Sequence, residues 1–388
     1  MKKKTINHKL MKQVNRTAIL NHLRLEGPHP RAELARNLKV DGTTITNLVR
    51  ELMKEKLIYV KEIGRSVTGK PQDILDINPE GSYAAGISLL QDSISSVILN
   101  LKGEAVYRER IAISYSISRD KLKELIKKLI TNILMNNKST SLKGLGIAYS
   151  GILPVESEYP VTVFNVGALE GLDVKSLLPE EFISKTRFIG GTRAIAETEM
   201  WLNKIPRDSN FCVIDLGIGI GCACINDGKI QTGEKGIAGE IGHTRIEPGG
   251  EKCVCGHFGC LETLASLRSV IKKVGSVLKK DSISFQDIVS LYQSGNDDVV
   301  EILNYAAKYI AIAAGNIINL ENPLHLIFSG PMLELGEPFL DEIKQHIKDT
   351  ALSEFLENLE IRRSSMIDYG YATGAAIVFI KDNFEIHE

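Results

Sequence analysis

The chain has 388 residues, 43% hydrophobic and 24% charged, the make-up of a soluble globular protein long enough for two or three domains. No run of about 18 apolar residues occurs, so no membrane-spanning helix is expected, and the basic opening MKKKTINHKLMKQVNR lacks the apolar stretch of a secretory signal. The formal net charge of −1 hides a split: residues 1–72 carry 16 Lys and Arg against 6 Asp and Glu, the remainder 31 against 42. A basic head on an acidic body suits a chain that meets a polyanion at one end.

Residues 15–26, NRTAILNHLRLE, put Ile19, Leu20 and Leu23 on one helical face, and Gly27 and Pro28 end that helix. PRAELARNLKV gives a short second helix through Leu34, Ala35 and Leu38. After DGTT, a third helix follows from the spacing of Ile45, Leu48, Val49 and Leu52, with Asp41 placed to cap it. Three helices and a tight turn in so short a stretch match a helix-turn-helix. LIYVKEIGRSVTGKPQDILDIN then alternates, breaks at Gly64 and Gly69, and reads as a β-hairpin wing. Thr43, Thr44, Thr46, Asn47 and Arg50 are expected to face away from the core of the third helix. These are short polar donors and a guanidinium suited to base edges and phosphates in a major groove. Arg31, at the head of the second helix, and Lys61, Arg65 and Lys70 on the wing are candidates for backbone phosphates or the minor groove. Double-stranded DNA is the expected partner of this head.

From residue 83 the pattern changes. YAAGISLLQDSISSVILNLKGEAVYRERIAIS reads as three strands, RDKLKELIKKLITNILMNN as a helix and LKGLGIAYSG as a strand. Further on, FCVIDLGIGIGCACINDGKI reads as two strands around a glycine turn. VEILNYAAKYIAIAAGNIINLENP is a long buried helix, LHLIFSGP another strand, and YATGAAIVFIKD closes the chain. Strand hairpins followed by helices, given twice, predict a duplicated α/β lobe with a cleft between the copies. The expected division is a winged helix-turn-helix over 1–80 and a two-lobed body over 81–388.

The strings NRTAILNHLRLEG…RAELARNL, LDINPEG, DLGIGIGCACINDGK, GIAGEIGH and CVCGHFGCLE resemble the ROK family (repressor, open reading frame, kinase). They are closest in kind to its sugar-responsive repressors, and the resemblance runs over nearly the whole chain. It implies an actin-like ATPase fold of two ribonuclease-H-like lobes, a homodimer or homotetramer, and a cytoplasmic protein released from operator DNA by a sugar or sugar derivative.

Six cysteines, three of them within residues 253–260, read in such a chain as thiols or metal ligands rather than disulfides. Cys253, Cys255 and Cys260 with His243 complete a tetrahedral zinc shell with no position left for water, which is a structural rather than a catalytic site. His257, between the last two cysteines, is a competing imidazole; the resemblance implies His243. It also implies that Glu240, His243 and Glu262 contact the sugar, and that Asn165 lies on a loop running against it. Fixing His243 and Cys260 would fix both carboxylates.

Kinases of this family open the first lobe with a glycine-rich phosphate turn, where GISLLQDSI here has Ser88, Leu90, Gln91 and Asp92. A bulky Leu blocks close phosphate approach and Asp92 repels it. In the second phosphate turn, Ile218 replaces the usual threonine. The family's Asn-Asp pair, whose aspartate is the general base, is replaced in RFIGGTRAIAETEMW by Gly190 and Gly191. No catalytic residue and no enzymatic activity are therefore expected. The alternatives are a sugar kinase with a DNA-binding head and a repressor that no longer answers to a ligand. Arg193, two residues on, either offers a cation to a phosphorylated or acidic ligand or lies on a helix surface.

Overall fold

The computed structural model describes residues 8–65, 71–90, 93–114, 117–136, 142–149, 151, 167–203, 205, 209–366 and 368–386. The side chain of Arg65, and Gln91, Asp92, Lys70 and Asn165 altogether, lie outside the described residues.

The head is built from α1 (His8–Glu26), β1 (His29–Pro30), α2 (Arg31–Leu38), α3 (Gly42–Lys54), β2 (Ile58–Arg65) and β3 (Pro71–Ile77). Ile45, Leu48, Val49 and Leu52 bury one stripe of α3 against Ile19, Leu20, Leu23 and Leu34. The Asp41 carboxylate caps α3 by accepting the Thr43 N–H at 3.2 Å. Two details differ from the sequence reading. Strand β2 runs on through Gly64, which pairs with Gln72, instead of breaking there. A third strand, β1, also pairs antiparallel with β3, giving the order β1-β3-β2.

The first lobe holds β4 (Tyr83–Leu89), β5 (Ser93–Asn100), β6 (Ala105–Ala112), α4 (Arg119–Asn136), β7 (Leu142–Tyr149), α5 (Glu180–Ile183), β8 (Thr186–Gly190) and α6 (Gly191–Leu202). The second holds β9 (Phe211–Leu216), β10 (Ile220–Asn226), β11 (Lys229–Ile230), α7 (Leu261–Ala265), α8 (Leu267–Val277), α9 (Phe285–Gln293), α10 (Asp297–Glu321), β12 (His325–Ser329), α11 (Glu337–Ile347), α12 (Ser353–Leu356), β13 (Glu360–Arg363) and α13 (Gly370–Ile380). Their sheets run β6-β5-β4-β7-β8 and β11-β10-β9-β12-β13. In each, an antiparallel meander of three strands is followed by two strands parallel to the first. The same topology twice is the duplication that the hydrophobic pattern predicts.

Two helices tie the lobes together. Helix α6 follows the first sheet but lays Ala194, Ile195 and Ala196 on Phe211, Val213 and Ile225 of the second. Helix α13 follows the second sheet but returns to the first, where its backbone meets β4 and β7 with no room for side chains. A Cβ on Gly86 would stand 1.9 Å from the Ala372 carbonyl oxygen. The two helices cross equally closely: a Cβ on Gly374 would lie 1.7 Å from the Ala194 oxygen.

The core of the head is continuous with this crossing. Trp201 of α6, Phe379 and Ile380 of α13, and Phe384 belong to the cluster that holds Leu20 and Leu52. Asn21 donates to the Phe384 carbonyl at 2.8 Å and Arg24 to the Trp201 carbonyl at 3.2 Å. The Arg24 guanidinium lies 4.4 Å from the Trp201 ring centroid, and that ring meets Phe384 edge-on.

Candidate metal centre and interlobe cleft

His243, Cys253, Cys255 and Cys260 present their ligand atoms within 4.8 Å of one another. Cys253 Sγ is 3.6 Å from His243 Nδ1, and Cys255 Sγ is 3.6 Å from Cys260 Sγ. A tetrahedral ion with bonds of about 2.3 Å to sulfur and 2.0–2.1 Å to nitrogen needs edges of about 3.6–3.8 Å. Two of the edges match such an ion, and the four donors lie close enough together to converge on one. Their chemistry, three thiols and an imidazole, selects a soft to borderline divalent metal. The loop is closed on itself by paired backbone: Ile246 N–H to Gly259, Gly259 N–H to Glu251, Cys253 N–H to His257 and Leu261 N–H to Thr244. Gly259 sits at φ +70°, and a Cβ there would be 1.7 Å from the Glu247 carbonyl oxygen. His257 is exposed and outside the four-residue group; its backbone carbonyl, not its ring, serves the loop.

The centre abuts a cleft between the lobes lined by Ser88, Leu90, Gly190, Gly191, Arg193, Asp215, Ile218, Glu240, His243 and Glu262, among others. With Nδ1 directed at the thiols, the His243 ring carries its Nε2 on the opposite edge. Glu262, in the first turn of α7, accepts the Ile220 N–H with Oε1 at 3.0 Å and so pins the glycine turn between β9 and β10. Gly242 lets the chain pass beneath it: a Cβ there would be 2.8 Å from Glu262 Cγ. Glu240 opens to the cleft but is crowded by protein. Burial pushes its carboxyl above the ordinary value, and the nearby Glu262 adds to it.

Gly190 and Gly191 form the β8–α6 junction, directly on the cleft. No side chain caps α6 there. Arg193 lines the cleft rather than an outer helix surface; it donates to the Ala238 carbonyl at 3.0 Å, and Glu240 is its charge partner. Sequence reasoning missed Asp215 and Tyr371. The Tyr371 hydroxyl, on the α13 side, lies 2.7 and 2.9 Å from the two Asp215 oxygens on β9 and bridges the lobes. Burial raises the Asp215 carboxyl to about 6, against the pull of that hydrogen bond. The aspartate of DLGIGIG was the available signal.

On the head, Thr43, Asn47 and Arg50 are exposed and Thr44 and Thr46 half-buried. Thr46 Oγ1 bonds back to the Gly42 carbonyl at 2.8 Å, and Arg50 Nη1 donates to Asn47 Oδ1 at 3.4 Å. Arg31 is paired with Asp73 of β3 at 3.1 Å, and Lys61 is 4.0 Å from Asp76.

Residues 84–382 match the model of the ROK family. The chain belongs to the ROK family. Along its full length it is similar to the xylose repressor of Caldicellulosiruptor bescii, 26% identical over 98% of this chain and 99% of that one. It is likewise similar to the DNA-binding transcriptional dual regulator NagC of Escherichia coli, 25% identical over 95% of this chain and 93% of the relative. Among solved structures, a ROK family transcriptional regulator homologous to the E. coli MLC protein superposes with a TM-score of 0.76 at 23% identity, covering 96% of each chain. A ROK glucokinase from Streptomyces griseus, solved with glucose and AMPPNP, superposes at 0.67 and 18% identity, covering 76% of this chain and 99% of that one. ROK lobes are thus common to regulators and kinases, and the fold alone does not separate them.

Proposed function

We propose that this chain is a DNA-binding transcription regulator, a repressor released from its operator by a sugar or sugar derivative held between the ROK lobes. The carrying observation is the docking of the head, through Asn21 and Arg24, on the helix pair that joins the lobes around the cleft. Similarity to repressors along the whole chain, head included, supports the same reading.

Helix α6 gives the reading a mechanism. Its twelve residues span about 18 Å. Gly190 to Arg193 form the cleft wall at one end, and Trp201, under Arg24, lies at the other. A sugar drawing Glu240, His243 and Glu262 toward the first lobe would displace the Ala238 carbonyl on which Arg193 rests. The head would move with α6. In a homodimer, two heads must span half-sites about 34–36 Å apart, so a small change in their separation lowers affinity steeply. Thr43, Thr44, Thr46, Asn47 and Arg50 are the proposed major-groove contacts, with Arg31, Arg65 and Lys70 on phosphates.

Zinc is the metal the four donors suit, held by His243, Cys253, Cys255 and Cys260. A closed four-donor shell supplies rigidity rather than chemistry, and here it would fix the loop that carries both sugar-binding carboxylates. Phosphoryl transfer is not part of the proposal, since the junction where a kinase needs its base offers Gly190 and Gly191. The protein would act in the cytoplasm, where its operator is.

The test is a thermal-shift screen of the zinc-loaded chain against hexoses, pentoses, N-acetylated sugars, inositols and their phosphates, followed by operator binding with the hit. A stabilising sugar that weakens operator binding supports the proposal. Sugar-dependent ATP consumption would make it a kinase, and intact DNA binding with no stabilising sugar would make it a ligand-independent repressor.

A further inference from the structure

Three cysteines have no part in the metal centre. Cys212 on β9 and Cys222 and Cys224 on β10 lie side by side on the face of the second sheet that is covered by the lobe's helices. Cys212 and Cys224 are directly opposed in the antiparallel register, with their sulfurs 2.9 Å apart; Cys222 Sγ is 3.7 Å from Cys224 Sγ. The backbone defines the kind of pair. Cys222 gives its N–H to Gly239 and Cys224 takes the Gln231 N–H, so the polar groups of both residues point away from β9. Cys212 and Cys224 are therefore a non-hydrogen-bonded pair, in which Cα atoms stand about 4.5 Å apart and side chains approach most closely. That separation lies within the range a disulfide spans.

We propose that Cys212 and Cys224 form a reversible, peroxide-sensitive dithiol, separate from the metal-binding thiols. Cys224 is the half-buried member, whereas Cys212 is 1% and Cys222 6% exposed. An oxidant entering from solvent thus meets Cys224 first. Hydrogen bonds from Cys212 and Cys222 hold the Cys224 thiol below its ordinary range, which favours the attacking thiolate. Cys222 is not the resolving partner: two residues along one strand lie about 6.8 Å apart with parallel Cβ vectors, at the outer limit for a bridge.

The oxidant is a hydroperoxide. Cys224 sulfur attacks the peroxide oxygen, the O–O bond breaks, and an alcohol or water leaves as Cys224 becomes a sulfenic acid. Cys212 sulfur then displaces the sulfenic hydroxyl, which departs as water with the Cys212 proton. Two thiols lose two electrons and two protons, and the O–O bond takes them up. The staple would bind the two strands that lead into the glycine turn at Glu262, and β10 also holds the Gly239 carbonyl beside Glu240.

The experiment is a hydrogen peroxide titration of the zinc-loaded full chain, with alkylation of the remaining thiols, non-reducing digestion and mass spectrometry. Released zinc is followed with a chromogenic chelator in the same samples. The expected result is a linked Cys212–Cys224 peptide pair, two hydrogens lighter than the reduced pair, formed before zinc is released and lost on adding dithiothreitol. C224S abolishes the link and C222S leaves it. The wild-type map needs no variant to fold. Cys212 and Cys224 both remaining alkylatable after the metal-site thiols have oxidised would overturn the proposal. So would a Cys222–Cys224 link, or zinc bound at a second equivalent that protects all three thiols.

Discussion

Glu262 serves two structures at once, lining the cleft while its Oε1 holds the Ile220 amide. Glu262→Gln keeps an oxygen for that amide and replaces the other acceptor by a donor. Losing one hydrogen bond to a charged group costs about 1.5–3 kcal/mol, so calorimetry should show sugar affinity falling about 10- to 150-fold. Operator affinity without sugar should not change. A variant that also loses operator binding would mean Glu262 is purely structural. Asp215 is tested by pH. Its folded-state carboxyl, at about 6, is raised above the unfolded value of about 3.9. Its contribution is fully present below pH 4 and is lost as pH rises through 6, because the folded state holds the proton more tightly. Asp215→Asn lacks that loss. In denaturant unfolding, the variant should match wild type near pH 4, gain on it up to about pH 6, and keep a constant lead above. Parallel curves would remove burial as the cause of the shift.

Element by element, what the sequence makes legible follows one physical rule. Where a helix buries a single stripe, as α3 does with Ile45, Leu48, Val49 and Leu52, spacing predicts both helix and core face. Where an element is buried on all sides, spacing says little. Helix α13 buries ten of its eleven residues, so its sequence shows an apolar run and not which sheet it joins. The cluster of His243, Cys253, Cys255 and Cys260, which could hold a metal, was legible because cysteines are rare and their spacing is local. The bridge from Tyr371 to Asp215 was not, because it joins residues far apart in the chain. The single tryptophan, Trp201, was a signal left unread: it marks where head and body meet. Arg50→Ala should weaken operator binding by about 1–3 kcal/mol and relax the sequence preference at the base pair it reads, whereas a purely phosphate contact would weaken all sequences alike. Arg24→Ala removes the hydrogen bond and ring contact to Trp201 but no proposed DNA contact. Couplings of this kind are typically 5- to 150-fold. In the variant, the ratio of operator affinities without and with sugar should fall toward one, with each ligand still bound. An unchanged ratio would place the coupling elsewhere than α6.

For the whole molecule, the duplicated lobe was legible because each copy repeats the order of hairpin, strand and helix. The exchange of α6 and α13 between copies was not, since it depends on close approaches at Gly86 and Gly374 that no local pattern encodes. If release works through the separation of two heads, a sugar should weaken binding to a paired operator and leave a single half-site unaffected. Fluorescence anisotropy on the two duplexes decides this; equal weakening on both would point to a change within each head. The return of α13 to the first sheet also has a consequence for biosynthesis. Strands β4 and β7 emerge from the ribosome long before the helix that covers them, so the first lobe waits, with one apolar face bare, until α13 and the residues after it are made. Neither the head's seat on Phe384 nor the cleft's Tyr371 exists before then. On the proposed function, a nascent or prematurely terminated chain would therefore hold the side chains proposed to read the operator with no means of answering to sugar, and would be a target for chaperones and proteases rather than a partial repressor.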